Sequence, residues 1–314
     1  MRALVVGGAG FLGYHICSRL LAEGHRVEVL DTLLTGSKEN ILPGAVFLSA
    51  FPRLGTPYDL IFHLACPASP VFYKKYPVET LEAGSLLTLR LARLAGHCNA
   101  RLFFASSSEV YGNAQVVPTP ETYWGNVDPI GPRSCYDESK RFSEAVLATY
   151  RTSFGVDVRI ARFFNVYGPR MRLDDGRVVP TFMRQVLAGE PLSIEAPGTQ
   201  TRALCYVDDA VDAVMALMSA PSPEPSVIAH PEYPYVFNIG NPQEVSMLAL
   251  AAAVCQAAGQ PFVYLPTAGR VQEIARRVPD ITRMKEQFGW QPAISLPDGL
   301  ARTLDYYRGR EVSR

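Results

Sequence analysis

The sequence predicts an α/β fold, a doubly wound parallel sheet with a smaller C-terminal part. Three observations carry this. The first half alternates short apolar runs with helix-period segments, the pattern of a parallel sheet whose strands are joined by helical crossovers. A glycine-rich turn, Gly7-Gly-Ala-Gly-Phe-Leu-Gly13, joins the first such run to the first such helix. After Gly168-Pro169 prolines and glycines become frequent and the elements shorten. Residues 1–168 therefore read as one domain, to which segments near 203–242 return, and 169–314 mainly as a second.

Each element has its own signal. Ala3-Leu-Val-Val6 is apolar without alternation, as a strand buried on both faces requires. A helical pattern follows through Leu12, Ile16, Leu20 and Leu21. Arg26–Leu30, Asp59–His63, Arg101–Ala105 and Val156–Ala161 read as further strands. Pro77 opens a long helical pattern through Leu81, Leu86, Leu89 and Leu94, ending near Gly96. A second long helix, from Ser134 to Phe154, carries Tyr136, Lys140, Phe142, Ala145 and Leu147. Val178–Leu187, Asp208–Met218 and Ser246–Ala258 read as helices and Tyr235–Ile239 as a strand. The proline-rich stretch Ala220–Ser226 reads as a loop, and the polar end, Arg308–Arg314, as a fraying terminus.

Bulk properties exclude several classes. Of 314 residues, 48% are hydrophobic and 19% charged, which is globular. Formal net charge is +0, so nothing draws the chain broadly to nucleic acid or an anionic membrane. Cys17, Cys66, Cys98, Cys135, Cys205 and Cys255 are scattered without metal-site spacing, and read as reduced core residues with no metal. The chain enters a strand at its start, and its longest apolar stretch, Met247–Ala258, is too short to span a bilayer. The expectation is a soluble cytoplasmic protein.

Gly7, Gly10 and Gly13 have the spacing of a Rossmann-type dinucleotide turn, with Phe11 and Leu12 opening the helix. Glycines there allow a tight turn and close backbone approach to a pyrophosphate facing the helix N-terminus. Asp31 ends the second strand, where a carboxylate binds the adenosine ribose and repels the extra phosphate of NADP. The expected cofactor is NAD.

Tyr136 and Lys140 are one helical turn apart on one face. An ammonium beside a phenol is expected to lower the tyrosine pKa from about 10 toward neutrality. Such a tyrosine takes a proton from an alcohol while a nicotinamide removes the hydride. Ser107, just past a strand, completes a Ser/Tyr/Lys set.

This combination resembles the extended short-chain dehydrogenase/reductases that act on nucleotide sugars, and among them the UDP-glucuronate decarboxylases. The likeness rests on Ser106–Gly112, Tyr123–Arg141 and Phe164–Met171, and extends through Asp174–Val179, Gln200–Arg202, Tyr206–Asp209 and Arg277–Ile281. It implies Tyr136 as base on the sugar 4-hydroxyl, with Lys140 beside it and Ser107 bonded to the same oxygen. It implies Glu109 and Ser108 facing the substrate carboxylate and a water. Asn165 is then a sugar or diphosphate contact, and Arg202 and Arg277 meet the phosphates and the substrate end of the pocket. Oxidation at C4 makes the carboxylate β to a carbonyl, so loss of CO₂ gives an enolate, and return of hydride gives UDP-xylose. Glu109 is expected to aid departure of CO₂ by repulsion or through a shared water. The resemblance also implies a homodimer paired through two long helices per subunit.

Rivals share the fold. Dehydratases place an Asp-Glu pair where this chain has Ser108-Glu109, and 4-epimerases usually lack a carboxylate at the Glu109 position. A decarboxylase releasing the 4-keto pentose stays open, as does a non-catalytic NAD-binding sensor. The chain departs from its relatives at Leu48–Pro52, which lacks an adenine-contacting acid, at Gly84 in place of an asparagine, and at Glu195 in place of an aromatic near the uracil. Nucleobase preference is open for that reason.

Overall fold

The computed structural model describes residues 1–221, 234–268 and 276–311. Along the chain, β1 (Arg2–Val6), α1 (Phe11–Ala22), β2 (Arg26–Leu30), β3 (Val46–Leu48) and β4 (Leu60–His63) come first. They lead to α2 (Pro70–Lys75), α3 (Pro77–Glu82), a π-helical turn (Ala83–Leu87) and α4 (Thr88–Cys98). Then follow β5 (Arg101–Ser107), α5 (Ser134–Phe154), β6 (Val158–Phe163), β7 (Val166–Tyr167) and α6 (Val178–Leu187). The remainder holds β8 (Leu192–Glu195), β9 (Thr201–Ala203), β10 (Cys205–Tyr206), α7 (Val207–Ser219), β11 (Val236–Ile239) and β12 (Glu244–Ser246). It closes with α8 (Met247–Ala258), β13 (Tyr264–Thr267), α9 (Thr282–Phe288) and α10 (Leu296–Glu311).

Seven strands form one parallel sheet in the order β3-β2-β1-β4-β5-β6-β11. Consecutive residues of β1 feed opposite cores: Ala3 and Val5 pack with α1 on one face, Leu4 and Val6 with α4 and α5 on the other. This is why the run reads apolar without alternation. Strand order reverses between β1 and β4, so the carboxyl ends of these strands bound a crevice suited to ligands. Among the described residues three small pairs lie outside the sheet: β7 with β10, β9 with β12, and β8 with β13.

The long helices lie where periodicity put them, α5 matching Ser134–Phe154 and ending on Gly155, whose φ of +68° stops the helix. α8 is capped by Ser246, whose hydroxyl accepts the Ala249 N–H at 3.1 Å. The helix expected from Pro77 is helical as far as Cys98, with one feature the periodicity did not show. It is preceded by α2 and interrupted by the π turn. Tertiary partners hold that turn: Ser143 Oγ donates to Gly84 O at 2.7 Å, and the His63 ring contacts Ala83 O at 3.2 Å. Of the expected fraying end, Arg308–Glu311 continue α10, and 312–314 lie outside the described residues. Most of the expected loop Ala220–Ser226 lies outside the described residues. Cys17, Cys205 and Cys255 are buried, and all six thiols are free. Among the described residues no helix is long and apolar enough to cross a membrane.

Gly84 gains a reason from this packing. A Cβ there would lie 2.5 Å from Ser139 Cβ and 2.6 Å from Ser139 O on α5. The π turn and the helix bearing Tyr136 thus touch through backbone. Gly84→Ala is expected to cost about 1–3 kcal/mol by overpacking and to reduce turnover by displacing α5. Thermal unfolding and initial rates check this; an unchanged Tm would contradict it.

Candidate active site

The glycine turn is built for close approach. Gly7 has a φ of +87°, and a Cβ on it would lie 2.6 Å from Ala65 N. α1 starts at Phe11 with no side-chain cap on Gly10. Tyr14 N–H bonds Gly10 O at 3.0 Å, so helix geometry leaves the N–H groups of Phe11, Leu12 and Gly13 outside the ladder. They are the donors a pyrophosphate would take. Asp31 Oδ2 accepts the Ala9 N–H at 3.0 Å and Oδ1 the Leu33 N–H at 2.8 Å. The carboxylate at the end of β2 thus also braces the turn. Burial raises its pKa, and the two backbone bonds oppose that rise. These residues fit NAD.

Ser107 closes β5, and Tyr136 lies in the first turn of α5, so the sheet edge and the helix start bring them together. The Ser107 hydroxyl acts on the Tyr136 phenol, drawing its pKa down, and accepts the Glu109 N–H at 3.2 Å. Lys140 Nζ donates to Ala105 O at 2.8 Å and lies 5.6 Å from the centre of the Tyr136 ring. Tyr73, on α2, stacks on Tyr136 with centroids 5.2 Å apart and planes 16° from parallel. The spacing argument placed Tyr136 near neutrality; the structure corrects this. Burial pushes the phenol well above its usual range, outweighing the opposing influence of Ser107 and the charge of Arg177. Burial likewise lowers Lys140, whose ammonium is spent on a carbonyl.

Glu109 and Ser108 sit on a 3₁₀ turn, Ser108–Tyr111, directly after β5, with Ser108 buried. Glu109 is clasped by two arginines. Arg277 Nη1 bonds Oε1, Arg277 Nη2 donates to Oε2 at 2.9 Å, and Arg133 Nη2 pairs with Oε2. The expected repulsion of a substrate carboxylate is corrected accordingly: paired cations offset the Glu109 charge. Arg277 therefore belongs to the Glu109 cluster. Asn165 and Arg202 make other contacts: Asn165 Nδ2 donates to Ala203 O at 3.4 Å, and Arg202 Nη1 donates to Thr201 O at 2.7 Å. Glu195 ends β8, its carbonyl accepting Gln200 Nε2 at 2.9 Å.

Sequence reasoning missed Tyr73, Arg133, Asp137 and Arg177. Arg133, Asp137 and Arg177 lie inside motifs quoted for the resemblance, but nothing in their spacing assigned them a task. Arg177, held by Asp175 at 2.6 Å, faces the phenol of Tyr136. Tyr73 carried no signal beyond being an aromatic.

Comparison with known proteins agrees with this geometry. Residues 3–240 match the NAD dependent epimerase/dehydratase family. The chain is 42% identical over 322 residues to UDP-glucuronic acid decarboxylase 5 of Arabidopsis thaliana, covering 99% of this chain and 90% of that protein. It is 41% identical over 314 residues to UDP-glucuronic acid decarboxylase 1 of Xenopus tropicalis, covering 98% and 72%. Among solved structures, a UDP-glucose 4-epimerase of Thermotoga maritima with UDP-glucose superposes with a TM-score of 0.87 at 29% identity, covering 99% of this chain and 100% of that one. A UDP-glucuronic acid 4-epimerase of Bacillus cereus, in complex with UDP-glucuronic acid and NAD, gives 0.83 at 25%, covering 99% and 100%. A parallel sheet with a glycine turn at its switch point, a Ser107/Tyr136/Lys140 cluster at its edge and a matching family pattern over most of its length lead to one statement: the chain belongs to the NAD dependent epimerase/dehydratase family.

Proposed function

We propose that the chain is an NAD-dependent decarboxylase converting UDP-glucuronate to UDP-xylose. Two supports carry the reading: relatives of that activity aligned over nearly the whole chain, and Glu109 clasped by Arg133 and Arg277 beside the Ser107–Tyr136 pair. The glycine turn and Asp31 would hold the dinucleotide, which accepts a hydride from C4 of the sugar and returns it.

Tyr136 takes the proton of the 4-hydroxyl, and Ser107 bonds the same oxygen. Both then stabilise the oxygen when it becomes the enolate of the 4-keto sugar. Lys140 supplies positive charge beneath the phenol, and Arg177 a second cation facing it. Arg133 and Arg277 are the cations that can meet the uronate carboxylate, with Glu109 as their counter-ion. Once C4 is oxidised, the carboxylate leaves as CO₂ and C5 takes a proton. Asn165 and Arg202 serve the diphosphate side. The six free thiols support a reducing, cytoplasmic setting. Val78, Leu81 and Leu86 on the α3–π segment and Phe142 on α5 are exposed apolar side chains, a surface suited to a second copy of the chain in a homodimer.

Incubation with UDP-glucuronate and NAD⁺ is expected to release CO₂ and UDP-xylose, identified by mass, with no net reduced nicotinamide. Reduced nicotinamide equal to the CO₂ released would mean that the 4-keto pentose is the product. Tyr136→Phe should lower turnover by about 10²–10⁴ with the fold intact; turnover within a few fold of wild type would remove Tyr136 from the chemistry.

Glu109→Gln leaves two guanidinium groups without their counter-ion. The expected result is a lower KM for UDP-glucuronate together with a kcat reduced about tenfold, the effect of one charge-assisted contact. Unchanged turnover at equal KM would take Glu109 out of the reaction. Light scattering at micromolar concentration should give twice the 34.5 kDa chain mass; a monomer would contradict the dimer.

A further inference from the structure

Glu109 stands on the 3₁₀ turn Ser108–Tyr111, and Arg277 on the stretch that leads into α9. Neither belongs to the central sheet, yet the two side chains meet. A buried side chain of the sheet's edge strand joins their two segments. Asn238, on β11, is 0% exposed. Its Oδ1 accepts the Tyr111 hydroxyl at 2.7 Å, and Tyr111 ends the turn that carries Glu109. Its Nδ2 donates to Asp280 O at 2.9 Å, just past Arg277, and to Thr119 O at 2.9 Å. Backbone bonds lace Thr119 to the Arg277 stretch: Thr119 N–H donates to Val278 O at 2.9 Å, and Asp280 N–H to Thr119 O at 3.1 Å.

The bonded row continues to α5. Asn238 pairs with Arg162 across β11 and β6, and Arg162 with Ser106 across β6 and β5. Arg162 Nη1 donates to the Tyr111 hydroxyl at 3.0 Å and to Glu121 O at 2.9 Å. Its Nε and Nη2 hold the Glu144 carboxylate of α5 at 3.0 and 2.7 Å, and Ser106 Oγ donates to the same carboxylate at 2.5 Å. The helix of Tyr136, the strand of Ser107, the turn of Glu109 and the stretch of Arg277 are thus tied through one buried polar row. The chemistry at its hub is specific. Two carbonyls and a hydroxyl need two donors and an acceptor on one short stem, which is what an asparagine amide supplies. Aspartate would set acceptor against acceptor, and leucine would leave all three groups unsatisfied. We propose that Asn238 is a positioning residue for the reaction: its amide fixes the Glu109 turn against the Arg277 stretch and so sets how the two side chains meet. Asn238 touches no substrate; it acts through Glu109 and Arg277. Its functional half rests on the proposed reading of Arg277 as a cation for the uronate carboxylate.

Amide hydrogen exchange read by mass spectrometry tests the positioning. Asn238→Ala is expected to speed exchange at Thr119 and Asp280, while the amides of β1 stay as slow as in wild type. Tyr111→Phe keeps the ring and removes one hydroxyl, so it carries the test if Asn238→Ala does not fold. It should speed exchange at Gly112, whose N–H closes the Glu109 turn at 3.0 Å. Calorimetry tests the functional half, in the NAD-loaded Tyr136→Phe chain so that UDP-glucuronate is bound and not consumed. Asn238→Ala should weaken UDP-glucuronate by about tenfold, the loss of one charge-assisted contact. Tyr111→Phe should weaken it by about threefold, the loss of one neutral bond. UDP-glucose, which lacks the carboxylate, and UDP should bind unchanged. Equal loss for all three probes would overturn the proposal, because Asn238 would then serve general stability alone. Unchanged exchange in both variants, or unchanged UDP-glucuronate affinity, would overturn it as well. A parent chain that binds UDP-glucuronate no tighter than UDP-glucose would sink the uronate reading, and the exchange result alone would then decide the role of Asn238.

Discussion

A phenol and an ammonium buried together at the end of a parallel sheet set the terms for everything else in this molecule. Desolvation raises Tyr136 and lowers Lys140, so both are pushed toward their neutral forms. The fold opposes this with fixed groups. Ser107 draws the phenol's pKa down, Arg177 does the same from the start of α6, and Tyr73 stacks on its ring. Gly84 lets the π turn approach the same helix closely enough for Ser143 to bond its carbonyl. These contacts make α5 a rigid mount for a phenol whose ionisation depends on charge brought into the site.

Around the carboxylate end the logic is charge balance. Glu109 and Asp137 face Arg133 and Arg277, two acids against two cations. In the proposed reaction a uronate would add a third negative charge, and loss of CO₂ would remove it again. Glu109 is the counter-ion that pairs with both arginines.

Much of this was legible in the sequence. The apolar strands, the glycine turn and Asp31 announce themselves through local patterns, because a strand buried on both faces and a tight βα turn restrict residue type at each position. The length of α5 was readable from its periodicity. What stayed hidden depends on partners distant along the chain. Glu109 meets Arg277 across 168 positions and Arg133 across 24, and no spacing rule reports either. The π turn is held by His63 and Ser143 from other elements. The direction of the Tyr136 shift was misread for the same reason: helical spacing reveals the neighbouring lysine, while solvent exclusion belongs to the assembled site.

The central claim is that burial keeps Tyr136 protonated until positive charge joins the site. Its most direct test is a spectrophotometric titration of phenolate, wild type minus Tyr136→Phe, without and with saturating NAD⁺. The account predicts that the Tyr136 signal is absent up to alkaline pH in the cofactor-free protein and shifts to lower pH when NAD⁺ is bound. A phenolate already formed near neutral pH without NAD⁺ would contradict it.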